Sequence, residues 1–353
     1  MRRRIAAVVL LVLVPAVSAR VVLGGGSAAG DLRSLPAARA DARVDATVSD
    51  ADVAGLAAAV ERSVEYVEGL FEHTFREPPR LVVFGTTASF STGLSDIFSY
   101  SEGDVARSAS SYGGLYDHAT STIAVNLQAV AADDRASTIE HELTHYVVRE
   151  ITGARPLPAW FEEGIATLVE RHQGASRWPE EDALVGRAVA TSGRIALEQV
   201  ESLADWHAAY PRFGQSLYQY AKAAVSLMRA HVGWPGMLGM LAAVAGGQTF
   251  ADAYRAAAGE SVSDLDSRIR QDRAPSLVWR RLPSGDAQYT FLGSARLGEE
   301  KVTIGGKSSY AVTFTVGTDD LGIYRGTFGS TAPPGTYQLS AAGGRAELMI
   351  ERR

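Results

Sequence analysis

The chain contains no cysteine in its 353 residues. That absence removes disulfides, thiolate metal ligands and cysteine nucleophiles. It leaves the compartment open, because a cysteine-free chain suits either redox setting. Positive charge is also short: a net charge of −6 gives no footprint for nucleic acid. Histidine is scarce, with seven residues, at 73, 118, 141, 145, 172, 207 and 231. Runs apolar and long enough to span a bilayer are confined to the amino terminus. What remains, 46% hydrophobic and 21% charged, is the composition of a globular protein. The length suffices for one sizeable core and a small accessory domain.

The amino terminus carries Arg2, Arg3 and Arg4, then an apolar run from Ile5 to Val17, then small residues through Ala19. This is the order of a secretory signal: a basic region, an apolar region and a cleavable site. With Val21, Val22 and Leu23 added, the stretch is also just long enough to span a bilayer as an uncleaved anchor. Residues 1–23 are therefore expected to be a signal peptide or a membrane anchor. Either outcome puts the rest outside the cytoplasm. Residues 24–47, rich in Gly, Ala, Ser and Arg, read as a flexible linker.

The most informative segment is His141-Glu142-Leu143-Thr144-His145. Ile139, Leu143, Tyr146, Val147 and Ile151 recur at helical spacing, acidic and polar residues precede them from Asp133, and Gly153 and Pro156 follow. On a helix, positions i and i+4 share a face, so both imidazoles can reach one metal ion. Glu142, one residue on from the first histidine, can then act on a water at the metal without being a ligand.

A second constellation, Pro158-Ala159-Trp160-Phe161-Glu162-Glu163-Gly164-Ile165-Ala166, has a proline suited to a helix start and an apolar face. Its two glutamates could serve only to complement the helix dipole. Next to the first helix they also offer what two histidines lack, a carboxylate ligand. Two histidines and one glutamate leave a fourth position for water, which is the donor set of catalytic zinc.

The paired motifs HELTH and PAWFEEGIA resemble those of the gluzincin metallopeptidases, in particular the peptidase MA-like bacterial families. They are more distantly similar to the aminopeptidase N family. The resemblance covers about residues 60–272. It implies that the glutamate before the glycine, Glu163 rather than Glu162, completes the zinc ligands with His141 and His145. The spacing from His145 is one residue shorter than in the aminopeptidases. A metzincin would need a third histidine at Ile151. The resemblance also assigns Glu170 to the support of the ligand shell; otherwise it is a solvated charge. It equates Tyr218-Gln219-Tyr220-Ala221-Lys222-Ala223 with a segment whose tyrosine stabilises the oxyanion. Tyr220 aligns best and Tyr218 is the alternative; either could instead be a half-buried core residue. The aminopeptidases hold a free amine with a glutamate in a segment whose counterpart here is Gly113-Gly114-Leu115-Tyr116-Asp117. That glutamate is missing, which implies cleavage inside chains, with Asp117 as a possible substitute anchor.

The remaining pattern gives a helix over 50–75, a strand over 80–84, a Ser- and Gly-rich loop over 86–114, and a strand over 122–127 placed to border the cleft and pair with substrate. Further helices run from about 180 to 272, with a turn at Trp234-Pro235-Gly236. Beyond Pro275, alternating runs at 287–292, 310–316, 322–324 and 336–340 are separated by Gly and Pro turns and contain no histidine.

The expected fold is α+β. A gluzincin-like catalytic domain over 48–274, with a small N-terminal sheet and a helical zinc-site region, precedes a small all-β, immunoglobulin-like domain over 275–353. The expected protein is an exported metallopeptidase with one Zn2+ per chain. Glu142 is its general base and a peptide or protein its substrate, with no nucleic-acid partner. The alternatives are a non-catalytic zinc-containing binding or scaffold protein, and a zinc amidase acting on cell-wall material.

Overall fold

The computed structural model describes residues 32–111, 113–171, 179–271, 277–282, 286–292, 299–306, 311–317, 321, 323–328, 335–341 and 344–350. The expected signal or anchor, residues 1–23, lies outside these. Among the described residues no helix is long and apolar enough to cross a membrane.

The first half is a five-stranded sheet, in the order β1 (Arg33–Ser34), β2 (Asp41–Val44), β3 (Arg80–Phe84), β5 (Thr122–Asn126) and β4 (Gly114–Asp117). The three central strands run parallel and the two outer ones antiparallel to their neighbours. Leu81, Val83, Ile123 and Val125 face one side, where helix α1 (Asp50–Phe71) and helix α4 (Arg135–Thr152) join the main core. Val82, Phe84 and Ala124 face the other and pack with Phe90, Leu94 and Phe98. Burial on both faces is why β3 and β5 read as continuous apolar runs.

Three expectations for this half are corrected. The linker over 24–47 contains β1 and β2, because Leu35, Ala42 and Val44 are buried against the sheet. The loop over 86–114 holds two helices, α2 (Thr87–Asp96) and α3 (Glu102–Ser111). A capping box between Thr86 and Ser89 starts the first, and Phe90 and Leu94, one turn apart, anchor it. The strand at 122–126 is interior; the edge that faces outward is β4.

The second half is helical: α5 (Ala159–Val169), α6 (Pro179–Thr191), α7 (Leu203–Phe213), α8 (Gln215–Ala245), α9 (Phe250–Ala258) and α10 (Val262–Gln271). Helix α8 is the spine on which α5, α6, α9 and α10 pack. It breaks at Gly233 (φ 71°), one residue before the expected turn. Leu217, Tyr220, Ala221, Ala224, Val225 and Met228 form its buried stripe. Fully burying an aliphatic side chain contributes about 1.5–3 kcal/mol, so this stripe accounts for much of the helix's stability.

Past α10 come antiparallel strands in two sheets. One orders β10 (Ile323–Phe328), β7 (Ala287–Leu292) and β6 (Leu277–Arg281); the other orders β12 (Gly344–Ile350), β11 (Gly335–Ala341), β8 (Glu299–Gly306) and β9 (Ala311–Gly317). Val278 and Ile323 of the first sheet pack on Leu184, Val185 and Ala188 of α6. Beside them, the buried Glu181 carboxylate accepts from Thr290 Oγ1 at 2.9 Å and Arg325 Nε at 2.6 Å.

Candidate active site

Helix α4 is buried on most of its circumference. Ile139, Leu143 and Val147 enter the core, and Gly153, in the left-handed region at φ 63°, ends the helix. That placement aims His141 and His145 at α5, with ring centroids 5.0 Å apart. Helix α5 is set close against α8 by Gly164: a Cβ there would lie 2.6 Å from the Ala221 carbonyl oxygen. The neighbouring Glu163 is thereby pressed towards the histidines. Glu163 Oε2 stands 3.3 Å from His141 Nε2 and 3.8 Å from His145 Nε2. One ligand atom from each of the three residues falls within 4.8 Å of the others. Two imidazole nitrogens and a carboxylate, converging and largely buried, fit one zinc ion with a position left open.

The shell around these residues is also built. Glu170 Oε1 is 2.6 Å from His141 Nδ1 and fixes the ring so that Nε2 points inward. Glu170 reaches it as the residue capping α5, with extended ψ of 126°. The next residue, Arg171, grips Glu140 on α4: its backbone N–H donates at 2.7 Å and its Nε at 2.9 Å. The same guanidinium lies 3.6 Å over the Tyr66 ring. This clamp ties the end of α5 to α4 on either side of the Glu170–His141 contact. The sequence motifs did not point to it.

Glu142 is buried and, with His141, lines both cavities of the cleft. Burial pushes its carboxyl up to about 8, while neighbouring His141 pulls it down. It accepts the backbone N–H of Tyr116 on β4. The approach is permitted by Gly114, where a Cβ would lie 2.9 Å from Glu142 Oε1. Burial alone would keep His141 neutral, but the hydrogen bonds it donates to Glu163 and Glu170 hold its pKa well above the usual value. His145, desolvated, is pushed down to about 4. Burial would raise the Glu163 carboxyl, but His145 and then His141 hold it below its usual value.

The site lies midway along a groove. One cavity of about 300 Å³ is lined by Tyr100, Tyr116, His118, Glu162, His207 and Tyr218. It runs into another of about 580 Å³ beside Arg149, Leu157 and Phe250. On the other side of Glu142 a third, of about 660 Å³, extends past Gly113, Thr138 and Gln215 to Arg280 and Arg325 of the C-terminal strands.

The two tyrosines separate. Tyr218 lines the groove, its ring 6.2 Å from that of His141 and packed on Trp206. Tyr220, the better-aligned candidate, is fully buried and donates to Asp266 of α10. Two residues along a helix is a rotation of about 200°, so both cannot face the groove. Asp117 is likewise not positioned as an amine anchor. Its carboxylate accepts Thr120 N at 2.7 Å, Thr120 Oγ1 at 2.6 Å and Tyr100 OH at 3.3 Å, which closes the turn after β4.

No curated protein matches the chain. Residues 103–272, from α3 to the end of α10, match the model of a family described as the Peptidase MA superfamily. The matched stretch contains both motif helices and the edge strand against which Glu142 rests, and it is a gluzincin-type Peptidase MA superfamily domain.

Proposed function

We propose that this protein is an exported zinc metallopeptidase that cuts peptide bonds within chains. The observation that carries this reading is the convergence of His141, His145 and Glu163 beside a buried glutamate in one open groove. A zinc ion held by those three residues would supply Lewis acidity towards the scissile carbonyl and its water. Glu142, held by the Tyr116 N–H and facing the groove, takes the proton of the attacking water and passes it to the leaving nitrogen. Tyr218 donates to the carbonyl oxygen as negative charge develops there.

The edge strand supports an extended substrate. Asn126 N–H donates to the Gly113 carbonyl at 2.8 Å. By the two-residue period of the ladder, Gly114 and Tyr116 turn their backbone groups away from β5 and along the groove. A peptide lying there continues the sheet. The groove runs on past both sides of the site, and Asp117 is committed to its own turn, so a free amine finds no anchor at Asp117. The C-terminal sheets we read as an immunoglobulin-like sandwich that braces α6.

The test is metal analysis of the purified protein, together with cleavage of a peptide and its N-acetylated twin, with and without chelator. One zinc per chain, chelator-sensitive cutting and equal rates on both peptides at internal bonds are expected. Release of single residues from the unblocked peptide alone would overturn the endopeptidase reading. Metal-independent cutting would overturn the metallopeptidase one. Export is tested by locating the protein in fractionated cells; retention in the cytoplasm would overturn it.

A further inference from the structure

Glu162, beside the ligand Glu163, has no place in the chemistry above. It projects into the groove where the 300 Å³ and 580 Å³ cavities meet, and it lines both. It is half-buried, in the first turn of α5. Among the described residues no hydrogen bond or ion pair reaches its carboxylate. Arg149 acts on it electrostatically but forms no ion pair with it; that guanidinium is 3.3 Å from His118 Nδ1. A half-buried carboxylate without a donor carries a desolvation cost that a cation entering the groove would offset. The walls around it, Ala159, Leu203 and the His118 ring, suit the methylene stem of a long basic side chain.

The direction of the groove places this contact. Strand β4 runs from Gly114, shared by the two cavities that flank Glu142, towards His118, which lies at the Glu162 end. A peptide pairing antiparallel with β4 therefore has its amino-terminal portion at the Glu162 end. We propose that Glu162 is a specificity-determining residue, which receives a lysine or arginine side chain on the amino-terminal side of the cleaved bond. This rests on the peptidase reading. It adds a preference that the zinc ligands and the base do not themselves impose.

The experiment measures kcat/KM on N-acetylated peptides that differ only in one residue on that side of the cut: lysine, arginine, norleucine or glutamate. Acetylation prevents an α-ammonium from standing in for the side chain. The unaltered protein is expected to favour lysine and arginine over norleucine by about 10- to 100-fold, the scale of one charge-assisted contact of roughly 1.4–2.7 kcal/mol. In Glu162→Gln the ratio should fall towards one, and in Glu162→Lys glutamate should become the favoured residue. The reading is a ratio within one protein, so a loss of zinc or of fold that slows every peptide alike does not mimic it. An unchanged ratio in Glu162→Gln overturns the proposal. So does an unaltered protein that cuts all four peptides equally; the peptidase reading would survive that result. Failure to cut any peptide sinks the peptidase reading, and this inference with it.

Discussion

A methyl group on Gly114 would sit 2.9 Å from Glu142 Oε1, 3.1 Å from Glu142 Cγ and 2.9 Å from Thr138 Cγ2. The edge strand and the Glu142 carboxylate thus meet at a position where only hydrogen fits.

Gly114→Ala should therefore act through Glu142. We expect the carboxylate to be displaced from the Tyr116 N–H, and kcat to fall by about 10- to 100-fold with zinc content kept. Glu142→Gln, which removes the proposed base, should cost about 10²–10⁴-fold. Turnover measured beside metal content after dialysis separates the two. A Gly114→Ala protein as fast as the parent would show that the carboxylate does not work from this position.

Glu170→Gln should loosen the metal. The His141 ring loses the charge that orients it, and losses on this scale run to about 10- to 100-fold in affinity. Competition against a chelator of known strength gives the number. An unchanged affinity would reduce Glu170 to a helix cap.

Tyr218→Phe and Tyr220→Phe should fail in different assays. Losing an oxyanion donor costs about 10²-fold or more in kcat, which is expected of Tyr218 alone. Tyr220→Phe leaves the buried Asp266 carboxylate short of a donor, a cost of about 1–3 kcal/mol in stability. Denaturant titration beside kcat reads both. Slow turnover with full stability in Tyr220→Phe would reverse the assignment.

The chelated protein should lose stability as pH rises from 6.5 to 8. Glu142 and Glu162 are both pushed up to about 8, chiefly by burial, and His141 is held above 6.5. A group whose folded pKa is raised contributes stability that is present below its unfolded pKa and lost as pH climbs through the folded one. All three therefore act with the same sign in this window. His145, pushed down to about 4, is neutral throughout it and opposes them only below 6.5. Melting temperatures of the chelated protein across the window test this. Glu142→Gln should flatten the slope, and a rising Tm would contradict the assignment.

The convergence of His141, His145 and Glu163 was legible because α4 and α5 each carry these residues at positions complementary to an apolar stripe. Which of the two tyrosines faces the groove was legible too, in a pattern that the alignment overrode. Leu217, Tyr220, Ala221 and Ala224 fall on one stripe at intervals of three and one, and Tyr218 falls off it. Helices α2 and α3 were hidden by composition: Ser, Thr and Gly make up much of α2, and tertiary packing of Phe90 and Leu94 supplies what propensity does not. Strands β1 and β2 were hidden by locality, since β2 pairs with β3 across the whole of α1. The Glu140–Arg171 clamp joins residues 31 positions apart through a charge pair that no short motif encodes.

The pairing of Glu181 with Thr290 and Arg325 bears on where this protein can be cut and recombined. The change from helices to strands after α10 looks like a seam between interchangeable parts. A fragment ending there would keep Glu181 on α6 with neither donor from beyond the seam. It would also present Leu184, Val185 and Ala188 to water without Val278 and Ile323 over them. The sequence boundary is not an energetic one, and the sheets beyond it cannot be exchanged as freely as beads on a string.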